Sequence, residues 1–206
     1  MLRPLYMLGE WDLALERGIA LRESWLADGR PPVSYFAPNL ACLAAIHALR
    51  GDEAEERAWL QVATDAAAEN VASLPGVRAL AADVALHRGE LDRAVELLSP
   101  LSDGAAWAPT VFAKRAEALA LAGDPQAREA LDRVATERGS DAHARAVAVR
   151  ARGLLDEDDE AMERAAALFA DQECVYELAR TQWLRGGQTR AAAREAFAQL
   201  GVVEPG

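Results

Sequence analysis

One turn phrase recurs along this chain, and its spacing constrains the fold more than any other feature. Residues 8–18 read LGEWDLALERG and residues 87–98 read HRGELDRAVELL. Both run Gly, acid, bulky apolar residue, Asp, any residue, Ala, then a helical stretch. The Gly-acid step itself occurs at Gly9-Glu10, Gly51-Asp52, Gly89-Glu90 and Gly123-Asp124, at intervals of 42, 38 and 34 residues. Two weaker marks continue the series at Asp156 and Gly186, 33 and 30 residues further on. The period settles near a third of a hundred residues and is looser at the N-terminal end, as in a repeat architecture.

The physical content of the mark is a helix-to-helix turn. Glycine takes the left-handed conformation that ends one helix. The acid after it caps the next helix and meets its positive end. Apolar stripes at helical spacing follow the marks: Ala14, Leu15, Ile19 and Leu21 after Gly9; Ala94, Val95, Leu97, Leu98 and Leu101 after Gly89. Before the turns, helices fit residues 40–50, 76–88, 109–122, 141–153 and 173–185. Pro38, Pro75 and Pro109 fall near the starts of three of them, where proline is tolerated. The connections are short except at 29–34 and 99–109. The expectation is an all-α array of about twelve helices in six antiparallel hairpins, one repeat domain over residues 1–206. Only Leu2 to Leu8 precede the first turn, so the first hairpin reads as truncated. That suggests a reading frame continuing upstream of Met1.

Composition agrees and excludes several classes. Half the chain is hydrophobic (51%) but only 6% is aromatic, which suits close helix packing. Val, Ile and Thr are scattered without the alternation of strands. The net charge of −11 argues against direct nucleic-acid binding and against anionic membrane surfaces. Lys114 is the single lysine, a bias typical of GC-rich coding. Cys42 and Cys174 are far apart and outside any CxxC spacing, as expected of a reducing cytoplasm. No run approaches the length of a membrane span, and the N-terminal residues lack a signal-peptide pattern.

Chemistry-bearing motifs are scarce. His47, His87 and His143 have no partner at i+3 or i+4, so no helical metal pair is expected. No serine sits in a GxSxG elbow, no Cys–His pairing can be argued, and no P-loop is present. The run DEDDE at 156–160 lacks the glycine and distal glutamate of a calcium loop. It reads instead as the charged first turn of a helix over 159–170. The five tryptophans, Trp11, Trp25, Trp59, Trp107 and Trp183, are spread one to a region and are expected to pack between hairpins, Trp183 excepted as a binding candidate.

GEWDLALERGIAL and GELDRAVELLSPL resemble the second-helix signature of tetratricopeptide repeats. Ala14 and Ala94 take the small-residue position, and Trp11 and Leu91 the position after the turn. Ala44, Ala82, Ala116 and Ala179 fall where that family crosses its helices closely. More narrowly, AAALF at 165–169 and ELART at 177–181 are similar to the helical repeats of large bacterial LuxR-type transcription activators and some nucleotide cyclases. The first resemblance implies a right-handed superhelix whose concave side binds peptides, with the residue six before each turn facing the groove. These are Ala45, Asp83, Glu117, Arg150 and Arg180, of which the last four form an acid, acid, base, base ladder. His87, Thr110, His143, Tyr176 and Trp183 lie nearby. Either the rungs pair across neighbouring helices and solvate the channel, or they orient an extended peptide. The function implied is a non-catalytic, cytoplasmic protein-interaction scaffold without cofactor or metal, the sensor-arm module of a bacterial regulator. The alternatives are a stand-alone peptide-binding adaptor and, behind it, an enzyme on a helical-repeat body. The partner is a protein or peptide, with a second copy of the chain as one candidate.

Overall fold

The computed structural model describes residues 2–29, 31, 33, 35–99, 108–136 and 141–206. Trp107 and most of the two longer connections lie outside the described residues. Among these the chain forms twelve α-helices, a single 3-10 turn at Val71–Ser73, and no strand. They pair as α1 (Arg3–Met7) with α2 (Trp11–Ala27), α3 (Phe36–Leu49) with α4 (Glu53–Ala68), and α5 (Leu74–His87) with α6 (Leu91–Leu98). Then follow α7 (Ala108–Leu121) with α8 (Gln126–Thr136), α9 (Ala142–Asp156) with α10 (Asp159–Asp171), and α11 (Val175–Arg185) with α12 (Thr189–Leu200).

The turns have the expected backbone. Gly51 and Gly89 sit at φ 80° and 73°, and the amide after each, Asp52 or Glu90, donates to a carbonyl five residues back, His47 or Ala85. That pattern closes the last turn of one helix and frees the next to start. Capping divides by side-chain length. Asp52 and Asp158 accept from the amides of Glu55 and Ala161, at 3.2 and 3.0 Å. Glu10 and Glu90 occupy the same position without a side-chain bond. Capping here falls to the shorter carboxylate, the type preferred at this position.

Helix starts and ends depart from expectation in instructive places. α3 begins at Phe36 and α5 at Leu74, so Pro38 and Pro75 fall inside the first turn, where no amide is needed. The fifth turn comes later than expected. α9 runs through Gly153 to Asp156, and Glu157 takes the left-handed conformation at φ 51°. Gly153 serves packing instead: a Cβ there would lie 3.0 Å from the backbone nitrogen of Met162 and 2.9 Å from its Cγ and Sδ. DEDDE spans the turn: Asp156 ends α9, Asp158 caps α10, and Asp159 and Glu160 form its charged first turn.

The first five hairpins pack in series through their first helices, α1 on α3, α3 on α5, α5 on α7 and α7 on α9, and the sixth joins them through α10 on α11. The series then returns on itself. Phe197 and Leu200 of α12 share one apolar cluster with Trp11, Ile46, Leu49 and Tyr176. The segment after α12 ties the last hairpin to earlier ones. The Val203 amide donates to the Leu49 carbonyl at 2.9 Å and the Gly206 amide to the His87 carbonyl at 3.1 Å. Arg50 Nε donates to the Leu200 carbonyl at 3.0 Å. The first helices therefore face one another across a filled interior. No helix among the described residues is long and apolar enough to cross a membrane.

Candidate functional site: an interior ion network

Four first helices send charged side chains into that interior. Asp83 comes from α5, Lys114 and Glu117 from α7, Arg150 from α9, and Glu177 and Arg180 from α11. Arg150 is the hub. Its Nη1 donates to Glu177 Oε2 at 2.7 Å and to Thr181 Oγ1 at 3.0 Å, and its Nη2 to Glu117 Oε2 at 2.9 Å. Its guanidinium lies 4.8 Å over the ring of Phe169. Arg180 Nη1 donates to the other oxygen of Glu117 at 2.5 Å. Lys114 donates to Asp83, and its Nζ lies 4.0 Å from Glu177 Oε1. Three carboxylates thus balance three cations, all almost fully buried.

Titration follows from that balance. Burial pushes the carboxyl of Glu117 up, but the guanidiniums of Arg150 and Arg180 outweigh it and hold it below its usual range. Glu177 is likewise held well below the carboxylate range, against burial, chiefly by Arg150 and Lys114. Asp83 goes the other way: burial raises it more than Lys114 lowers it. Burial holds both interior histidines neutral, lowering each to about 4. The His87 tautomer follows from its partners. Nε2 lies 2.8 Å from the Val203 carbonyl, which only accepts, so Nε2 carries the proton. Nδ1 then accepts from the Tyr176 hydroxyl at 3.0 Å.

Beside the network lies a small pocket of about 30 Å³, lined by Tyr6, Asp83, Lys114, His143, Tyr176 and Glu177 among others. That volume is room for about two waters. Tyr6 Oη and His143 Nδ1 are buried here without a protein partner, and water in the pocket would satisfy them.

The structure brings Asp83, His87, Thr110, Glu117, His143, Arg150, Tyr176 and Arg180 into this one interior region, and all eight are buried. Glu117 and Arg150 pair across neighbouring helices, in a desolvated core and not a solvated channel. As they stand, no extended peptide reaches them. Trp183 lies apart and half-buried, 6.1 Å from Phe197 and under the guanidiniums of Arg190 and Arg194. Trp11, Trp25 and Trp59 pack between helices, Trp11 against Tyr6 and Tyr176, and Trp25 against Phe36. Lys114, Glu177, Tyr6 and Thr181 were not anticipated. Lys114 and Glu177 each stand three residues before a ladder residue, on the same helix face.

Chemically the network is a charge-balanced set of paired ions in which Arg150 Nε and Arg180 Nη2 are left without a protein partner, and each thiol is buried and raised, Cys42 to about 12 and Cys174 to about 11. Among the described residues no group of three His, Cys, Asp or Glu side chains comes together as a metal site would require. No protein-family model matches the chain, and no curated protein or solved structure is significantly similar to it.

Proposed function

We propose that the chain is a tetratricopeptide-type helical-repeat scaffold for protein–protein interaction, serving as the sensor-arm module of a bacterial signalling or transcription regulator. The observation that carries this reading is the series of six hairpins, four of them turned at the same glycine-acid step. Arrays of this kind stack their repeats into one continuous core and offer extended faces to partners. On this reading the interior ions fix how the hairpins sit, and the partner meets an outer face. The specificity of buried polar groups for one arrangement supports the first half of that statement.

The test is cross-linking in source cells carrying a tagged copy at the native locus. A protein partner recovered in fixed stoichiometry, with loss of a transcriptional or second-messenger response on deletion, supports the reading. A tightly bound cofactor with turnover, and no partner, overturns it in favour of an enzyme.

A further inference from the structure

The molecule is strongly acidic, yet one open groove on it is rimmed by arginine. It lies between α8, α9 and α10 and encloses about 420 Å³. Leu131 and Val134 of α8, Ala148 and Val149 of α9, and Ala161 of α10 form its floor. Arg145 and Arg152 of α9 and Arg164 of α10 stand on its rim, all exposed. Among the described residues Arg145 and Arg152 enter no ion pair. Arg164 makes only long exposed contacts, 3.5 Å to Asp158 and 3.8 Å to Glu160. Such pairs contribute about 0–1 kcal/mol and exchange readily.

We infer that this groove receives an amphipathic helix of a partner protein, with its acidic flank toward Arg145 and Arg152. The inference rests on the scaffold reading and names its surface and partner chemistry. Arg145, Ala148, Val149 and Arg152 follow i, i+3, i+4 and i+7 spacing, so they form one stripe on α9 with the apolar pair between the charges. The two arginines are two helical turns apart, about 10 Å. A partner helix presenting leucines at the same spacing, with glutamates two turns apart, matches both features. Helix-in-groove recognition is read through such anchors. The charge argument selects the sign: carboxylates accept from guanidinium forks, whereas a basic helix would meet three like charges.

The probe is a designed, fluorescein-labelled helical peptide of about five turns, with that leucine spacing and a glutamate flank. A second peptide replaces each glutamate by lysine. Binding to the full chain is read by anisotropy. The acidic peptide binds, and its affinity falls steeply with salt. The Arg145→Glu/Arg152→Glu double variant weakens it about tenfold or more, while the lysine peptide binds the variant better than the wild type. Both sites are exposed, so circular dichroism of the variant stays unchanged. An Ala148→Glu variant weakens the acidic peptide without touching the rim. If the acidic peptide does not bind, or binds the double variant undiminished, the inference is overturned. That result leaves the scaffold reading to its own cross-linking experiment.

Discussion

Arg150 Nη2 and Glu117 Oε2 lie 2.9 Å apart, each side chain 1% exposed, joining α9 to α7 in the middle of the molecule. Glu117 also takes Arg180, and Arg150 also takes Glu177, so the pair ties three of the six first helices together. Pairing of this kind is costly to break from one side, because the abandoned charge stays desolvated. Arg150→Ala is expected to lower stability by about 3–5 kcal/mol, and Arg150→Glu to prevent folding, since it sets three carboxylates together. Replacing Arg150 by Met together with Glu177 by Gln removes one cation and one carboxylate, leaves Glu117 on Arg180 and Asp83 on Lys114, and should restore much of the loss. Chemical denaturation of the four proteins checks this ordering. Equal stability of Arg150→Ala and the wild type would mean the network is not formed in solution.

The interior histidines set an acid limit. His87 and His143 are held at about 4, against about 6.5 in an unfolded chain. Between those values the unfolded state binds protons that the folded state refuses, so stability falls as pH drops from about 6.5 to about 4. At about 1.4 kcal/mol per pH unit, each histidine contributes on the order of 3 kcal/mol to that loss. Glu117 and Glu177 extend the loss below the ordinary glutamate range, since the unfolded state protonates them first; Asp83, shifted upward, opposes it. Thermal melts across pH 4–7 check the slope, and the His87→Gln/His143→Gln double variant should flatten it. A wild-type profile already flat over that interval would contradict the neutral, buried imidazoles.

Gly153 is a mid-helix glycine kept for contact. A Cβ there would press on the Met162 backbone nitrogen, which sits on α10 and cannot swing aside as a side chain tip would. Gly153→Ala gains helix propensity, yet we expect a net loss of about 1–3 kcal/mol from overpacking. Gly123 is a useful control, because nothing lies within 4 Å of a Cβ there and only its φ of 67° resists substitution. Differential scanning calorimetry of both alanine variants measures the difference.

The hairpins were legible because the turn is a local event. A left-handed glycine, a following acid and an apolar stripe are written side by side at Gly51, Gly89 and Gly123. Where the left-handed residue is Glu157, the mark loses its glycine, and the spacing points to Asp156, one residue early. The ladder Asp83, Glu117, Arg150, Arg180 was legible from its constant distance to the turns. What the spacing did not carry was the surroundings of those charges. Arg150 meets Glu177 where the fifth and sixth hairpins pack, and the interior around them is closed by the last hairpin returning to early ones, a contact joining residues about 150 apart, such as Arg50 and Leu200. No local pattern encodes a closure of that range. Lys114 and Glu177 escape the spacing because their partners, Asp83 on α5 and Arg150 on α9, lie on the neighbouring hairpin and not on their own.

The closing segment can be tested directly. Val203 donates to Leu49 and accepts from His87, and Gly206 donates to the His87 carbonyl, so residues 203–206 cover the C-terminal ends of α3 and α5. Removing these four residues deletes three hydrogen bonds to α3 and α5 and an exposed Arg194–Glu204 pair, an expected cost of about 1–3 kcal/mol. It also opens one side of the His87 ring. Burial is the main force lowering that imidazole, and the Val203 carbonyl opposes it more weakly. Uncovering the ring should therefore carry its titration upward from about 4 toward the ordinary histidine value, even though the accepting carbonyl is lost. Two-dimensional NMR of the imidazole protons follows the ring through pH in both proteins. An upward shift confined to His87 is the expected result. If His87 titrates identically with and without the segment, the burial of this ring comes from α11 and α12 alone, and the segment does not close the interior.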